Sequence, residues 1–446
     1  MPSFPYFPSL LVNRFAEQRI WLLAWPIILA NISTPLLGFV DTAVVGHLPD
    51  ASYLAGTALG SLLITVLFWL MGFLRMSTTG LVAQAEGRND KVTSANTLIQ
   101  GISLALALGC SIVLFQDALF GLLNLAITTE VDVSASLKHA ELYFSTRVWI
   151  APISLINLVL LGYAIGIGRT KVVLQVVLIG NLVNLAADIL FVPVLGFGVA
   201  GVAMASVLAE ICQFVALIWL LQIHKLIERV DFKQGDAKLS ALISMNSTLF
   251  LRSALLQSVI SFMAIHSSRY GDDAIALNAI LMQFFLFISF AMDGIAFGLE
   301  SLVGKAYGGN KLKQTRLYIQ RGGRLALRFA LLYTALYLCF AFSIVSLLTD
   351  IPSLLVRFES FYWLVVVLPL LSFLSFIFDG VFVALAWVKQ MCVSMAIAAF
   401  GFGVCVVVSV YTFSGTQLQL WGCFVVFLCT RWMVQGWMLK RYKLLF

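Results

Sequence analysis

Apolar residues run in long blocks from one end of the chain to the other, broken by short stretches that carry Gly, Pro, Asn and most of the charge. The blocks predict twelve membrane-spanning helices, at 20–47, 54–84, 92–120, 139–163, 170–192, 197–224, 240–268, 274–304, 314–348, 353–386, 390–412 and 416–439. Several exceed the roughly 20 residues that cross a bilayer, which predicts tilt, kinks or protruding ends.

The pattern also repeats. LVAQAEGRN (81–89) aligns with LVGKAYGGN (302–310), and at the same shift YLAGTAL (53–59) aligns with AIALNAI (274–280). Near the end of each half, GYAIGIGRTK (162–171) matches GVFVALAWVK (380–389). The predicted fold class is therefore an all-α polytopic membrane protein of two six-helix lobes, 1–226 and 227–446, joined by the charged loop 224–240. Six is even, so both lobes enter the membrane from one side and the repeat is parallel. Transporters are commonly duplicated in this way, with the substrate path between the halves.

Charge orients the spans. One set of loops carries Arg14 and Arg19, Arg88 and Lys91, Arg169 and Lys171, Lys225 to Lys238, Lys305 to Arg328, Lys389, and Lys440, Arg441 and Lys443. The alternate loops are poor in basic residues and carry Asp50, Glu130, Asp132, Asp272, Asp273 and Asp350. The positive-inside rule puts both termini in the cytoplasm, in agreement with an even number of spans.

Composition narrows the function. The chain is 61% hydrophobic and 11% charged, which leaves no room for a sizeable soluble domain. The net charge of +7 sits in the loops that set orientation, so it does not point to nucleic acid. The cysteines, Cys110, Cys212, Cys339, Cys392, Cys405, Cys423 and Cys429, lie inside apolar blocks without ligand-like clustering and read as small core residues. The opening MPSFPYFPSLLVNRFAEQRI has neither the cationic start nor the small-residue site of a cleaved signal peptide. His47, His139, His224 and His266 are scattered. There is no H-E-x-x-H motif, nucleophile elbow or phosphate-binding G-x-x-x-x-G-K-[ST] loop, which argues against an enzyme and an ATP-driven pump.

The repeat supplies an internal control for polar residues inside the spans. Asp41 aligns with Phe262, and Asn181, Asn184 and Asp188 align with Ala399, Phe402 and Val406. A structural need common to both halves would not produce that difference. Positions 181, 184 and 188 share one face of span five. At 1.5 Å per residue, Asp188 lies about 7 Å and Asp41 about 9 Å below the outer surface. Tyr143 in span four and Ser206 in span six lie at overlapping depth, so one outer-side pocket in the first half is predicted. An acid in a span costs about 2.5–3.5 kcal/mol at the helix centre and less near the interface. Two carboxylates brought together there do not both ionise, so the pair can load and release a proton, held by the asparagines and Tyr143. The oxygens of Asp41, Asn184 and Asp188 are equally a candidate Na⁺ site. Pro26 and Pro35 interrupt span one ahead of Asp41 and mark it as a candidate hinge. Arg75, Arg147, Glu210, Arg252, Asp293, Glu300 and Asp379 also interrupt the apolar blocks. Asp293 and Asp379 are candidates for substrate or secondary cation contact; for the set, ion pairs that lock the inward-closed or outward-closed state stand against ordinary buried pairs.

LGFVDTAVVGHL (37–48), followed by LRMSTTGLVAQAEGRND (74–90) and by GIGRT (166–170) after span four, resembles the multidrug and toxic compound extrusion (MATE) family, and within it the DinF-like branch. The resemblance covers essentially the whole chain. It implies a secondary antiporter that exports organic cations against inward H⁺ or Na⁺, without a further cofactor. It maps the first-half cation site onto Asp41, Tyr143, Asn184, Asp188 and Ser206; Asn181 is added by its helix face. Some relatives carry a second-half site with a Glu in span seven and an Asp in span ten. Asp379 resembles that Asp, but span seven has no acid and carries Arg252 instead. The expectation is therefore H⁺ coupling through the first half, in a monomer of a bacterial inner membrane whose partners are small molecules and lipids. A lipid or lipid-linked-sugar flippase of the same superfamily is the alternative.

Overall fold

The computed structural model describes residues 9–46, 48, 50–126, 134–231, 239–412 and 415–444. His47, Glu130, Asp132, Lys233 and Lys238, and the first eight residues, lie outside the described residues. The described residues are helical throughout their regular structure. Among the described residues, twelve helices are long and apolar enough to cross a membrane: α1 Arg14–Gly46, α2 Ser52–Gly87, α3 Lys91–Leu114, α4 Ser134–Gly166, α5 Thr170–Val194, α6 Gly198–Leu221, α7 Leu242–Tyr270, α8 Asp272–Gly308, α9 Leu312–Leu348, α10 Tyr362–Ala384, α11 Val388–Val410 and α12 Gln417–Arg441.

Both halves use the same local chemistry to end their helices. After α2, Asn89 takes a left-handed φ of 59°, and the Asp90 N–H closes on the Ala85 carbonyl at 3.0 Å. After α8, Asn310 does the same at φ 55°, with the Lys311 N–H on Ala306 at 2.9 Å. After α4, Gly168 at φ 78° lets the Arg169 N–H reach Ala164; after α10, Ala386 at φ 56° lets the Trp387 N–H reach Phe382. These are left-handed caps that satisfy the last carbonyls of a helix. They fall at aligned positions of the repeat.

By packing, the chain divides into two compact units, Leu29–Asn246 and Met1–Ile28 with Ser247–Phe446. Packing thus draws the boundary elsewhere than the repeat does. It falls inside α1, between Pro26 and Pro35, and again inside α7. The start of α1 packs through Ile20, Ala24 and Ile28 against Gly294 and Gly298 of α8.

Within the amino-terminal unit, α4 is the most buried helix; it packs on α2, α3 and α6, while α5 pairs with α6. Within the carboxyl-terminal unit, α10 is the most buried and packs on α8, α9 and α12, while α11 pairs with α12. The two contact patterns are the same six helices apart. One close approach is shared to the residue. A Cβ on Gly162 would lie 2.5 Å from the Arg75 carbonyl oxygen, and one on Gly380 would lie 2.7 Å from that of Ala296. Arg75 and Ala296 are aligned positions, as are Gly162 and Gly380. Small residues let two backbones meet where dispersion rather than hydrophobic burial must hold helices together.

Candidate functional site

Two helices of the amino-terminal unit carry irregular backbone next to the polar residues, and each break has a proline as its cause. In α5 the regular turns stop at Ile189, one residue past Asp188, and a π-helical turn runs over Leu190–Val194. Pro193 cannot donate to the Ile189 carbonyl, and the widened turn absorbs the missing bond. In α4 a 3₁₀ turn at Val148–Ile150 follows Arg147 directly, because Pro152 cannot donate to Val148. Arg147 therefore sits at a helix carboxyl end, where the backbone dipole favours a cation. In α1, Pro35 is preceded by Ser33 and Thr34, whose hydroxyls both donate to the Ala30 carbonyl, at 2.8 and 3.2 Å.

Asp41 of α1 and Asp188 of α5 meet, with their carboxyl groups within side-chain hydrogen-bond reach of each other. Asp188 is fully buried and Asp41 half-buried. Asn184 bridges them. In the orientation that satisfies both ends of its amide, Nδ2 donates to Asp188 Oδ2 at 3.2 Å and to Asp41 Oδ1 at 3.1 Å. Its Oδ1 accepts the backbone N–H of Ser206 at 3.2 Å. Ser206 thus joins the cluster through its main chain.

Asn181 and Tyr143 stand one step away. Asn181 Nδ2 donates to Ser33 Oγ of α1 at 3.0 Å, on the face of α5 that also holds Asn184. The buried Tyr143 hydroxyl accepts from Arg147 Nη1 at 2.7 Å rather than bonding either aspartate. Arg147 Nη2 donates to Glu210 Oε1 of α6 at 3.1 Å. Ser154 Oγ donates to Glu210 Oε2, and Asn157 Nδ2 donates to the Glu210 carbonyl at 3.0 Å. Arg147 is close enough to act electrostatically on both Asp41 and Asp188. The sequence reading weighed Arg147 and Glu210 as ion-pairing residues but did not set them beside the first-half pocket, where the structure has them. The available signal was their opposite charge at overlapping depth in neighbouring spans.

A cavity of about 300 Å³ lies inside this unit, against the cluster. Asn184, Asn181, Arg147, Glu210, Asn157 and Gln213 supply its polar wall. Phe68, Leu158, Leu161 and Val177 supply its apolar wall. Asn184 is the shared element: one face lines the cavity and its amide bonds the aspartates.

The carboxyl-terminal unit is organised differently. Asp379 of α10 is buried and gripped by Arg252 of α7 and Arg431 of α12, both on Oδ2, while Gln435 Nε2 donates to Oδ1 at 2.7 Å. Both carboxylate oxygens are taken and two guanidinium groups surround them. Asp379, a candidate for substrate or cation contact by sequence, is thus the centre of an ion cluster with two arginines. Asp293 of α8 is partly buried and acts electrostatically on the same Arg252.

The sequence model of the MatE family matches the chain twice, over 26–190 and 248–412. The chain is 35% identical over 393 residues to the DNA damage-inducible protein F of Escherichia coli K12, covering 87% of this chain and 84% of that one. It is 24% identical over 355 residues to the probable multidrug resistance protein NorM of Shewanella oneidensis, covering 77% and 76%. Its fold is similar to a crystal structure of MATE in the straight conformation and to a MOP superfamily transporter from Pyrococcus furiosus. Each likeness has a TM-score of 0.84 at 18% identity and covers 96% of both chains. The paired matches coincide with the two halves of the repeat, and the chain belongs to the MatE family of multi-pass membrane transporters.

Proposed function

We propose that this chain exports organic cations in exchange for protons, by alternating access, with Asp41 and Asp188 as the coupling site. The observation that carries the reading is the aspartate pair bridged by Asn184, behind the wall of a cavity in one half and replaced by apolar residues in the other. A pair that shares one proton can take a second or surrender the first, so its charge changes by one at each step. The names of the relatives support a drug-like cargo.

The arrangement of Asn184 favours H⁺ over Na⁺. With its Oδ1 on the Ser206 N–H, Asn184 turns only N–H groups toward the aspartates and offers no oxygen to a cation between them. A sodium ion needs oxygen ligands, so Asn184 would have to turn Oδ1 toward the aspartates. That would set Nδ2 against the Ser206 N–H, donor facing donor.

In this reading the protein faces inward with the pair short of protons and cargo in the cavity. Protonation from the outside removes one negative charge from the pair, and the end of α1 beyond Pro35 shifts to release cargo outward. Return to the inward-facing state delivers the proton to the cytoplasm. The bacterial relatives and the loop charges support an inner-membrane location with both termini cytoplasmic, and one chain carries the whole site. Proton release on cargo binding tests the assignment. Weakly buffered protein in detergent, mixed with ethidium, should acidify the solution at neutral pH. Asp41→Asn should bind without acidifying it. Equal proton release from that variant would remove Asp41 from the mechanism.

A further inference from the structure

The cavity wall contains a carboxylate that the proton-coupled cycle does not use. Glu210 is fixed in place from α4, by Ser154 on Oε2 and by Asn157 on its main-chain carbonyl. Its remaining oxygen faces Arg147 through a single contact at 3.1 Å. Arg147 spends Nη1 on Tyr143, so the guanidinium does not grip Glu210 with the two parallel bonds of a strong pair. Its Nε is buried without a partner, as is Oδ1 of Asn157, another residue of the cavity wall. Of the pair, Glu210 is the anchored member. Arg147 is the adjustable one, on a long side chain at the 3₁₀ break in α4.

The charged neighbours of Arg147 are few. From α1 comes Asp41, from α5 Asp188, from α6 Glu210, and from its own helix Tyr143. The segment of α2 that packs on this part of α4, Ala51–Leu70, contains no charged residue, and neither does the Ala151–Gly166 part of α4. The aspartate pair and Glu210 therefore compete for one cation. With one proton on the pair, the four groups carry one net negative charge; with none, two.

Resting on the proton-coupled reading above, we propose that Glu210 is the recognition site for the positively charged group of the cargo, and that Arg147 is its exchangeable cover. When the aspartates lose their proton, Arg147 turns to the doubly charged pair and uncovers Glu210 to an organic ammonium or similar cation in the cavity. When the proton returns, Arg147 falls back on Glu210 and displaces the cation. Proton and cargo then exclude each other without touching the same carboxylate. Asn157 Oδ1 is the matching acceptor for a cargo N–H.

Binding of ethidium, a permanent cation, and of Nile red, a neutral dye, to purified protein at pH 5.5 and pH 8 tests this. The wild type should bind ethidium at least about tenfold more tightly at pH 8, in keeping with coupling energies typical between sites. Glu210→Gln keeps hydrogen-bonding groups toward Ser154 and Arg147; it should lose ethidium affinity at pH 8 about tenfold and keep that for Nile red. Arg147→Gln should bind ethidium tightly at both pH values. Should Arg147→Gln fail to fold, Arg147→Lys, which keeps the charge, should preserve the pH dependence that Asp41→Asn abolishes. Ethidium binding by Glu210→Gln equal to the wild type would overturn the assignment, whatever the aspartates do. PH dependence that survives in Asp41→Asn would instead overturn the aspartate reading, while an ethidium-specific loss in Glu210→Gln would still support the cation site.

Discussion

Asn184 illustrates how much of the site one residue decides. Its amide has two donors and one acceptor, and the aspartates and the Ser206 main chain use all of them. Buried acids elsewhere in the chain are held in a different way, and the difference predicts opposite costs of neutralisation. Asp379 compensates two guanidinium groups, so Asp379→Asn leaves buried positive charge unpaired, at a cost of about 3–5 kcal/mol. Asp41 faces another acid, so Asp41→Asn relieves like charge and should unfold little earlier than the wild type. Thermal unfolding in detergent distinguishes the two; equal losses would contradict the contrast. At residue scale the sequence was informative where residues share one helix: positions 181, 184 and 188 could be placed on a face by counting. Tyr143 and Arg147, four apart on α4, could be paired in the same way, but the Arg147–Glu210 link was hidden because it joins neighbouring helices whose mutual rotation no single-helix pattern records.

The ends of helices repeat between the halves, and their exceptions are informative. Gly168 sits in a left-handed cap without strain, while its counterpart Ala386 holds φ 56° against the Cβ penalty. Ala386→Gly should therefore stabilise the protein by about 0.5–1 kcal/mol, after allowance for the greater freedom of glycine in the unfolded chain. A lower midpoint in thermal or denaturant unfolding would count against the cap. Asp90 starts α3 by accepting the Thr93 N–H at 2.8 Å, whereas Lys311 at the aligned start of α9 has no side-chain cap. Partial burial pushes the Asp90 carboxyl up, but the hydrogen bonds from Thr93 outweigh it and hold it below the usual carboxylate range. A depressed folded-state value means that the cap stabilises above the ordinary carboxylate range and is lost as pH falls through the folded value. Asp90→Ala should cost about 1 kcal/mol at neutral pH and lose less as the solution is acidified toward that value. A loss unchanged by acid would contradict the assignment. The breaks after Arg147 and Asp188 were legible in part, since Pro152 and Pro193 stand in the sequence. That each break falls beside a charged residue of the site is a result of the fold.

Across the whole molecule, one packing plan has been used twice and given two electrostatic contents. The amino-terminal unit holds a cavity whose polar wall is Glu210, Arg147 and amide side chains, beside two aspartates; the carboxyl-terminal unit closes two arginines and a glutamine around one aspartate. The duplication was readable from LVAQAEGRN and LVGKAYGGN, because loop and cap chemistry constrain sequence locally. The boundary of packing inside α1 was not, because a helix that leaves one unit for another looks continuous in hydropathy. The central claim is that protons, through Asp41 and Asp188, drive export. Its most direct test is ethidium transport by protein reconstituted in vesicles, with a pH gradient and a sodium gradient imposed one at a time. A pH gradient alone should drive transport, a sodium gradient alone should not, and Asp188→Asn should be inert to both. Transport driven by sodium alone, or a pH response retained by Asp188→Asn, would contradict the account.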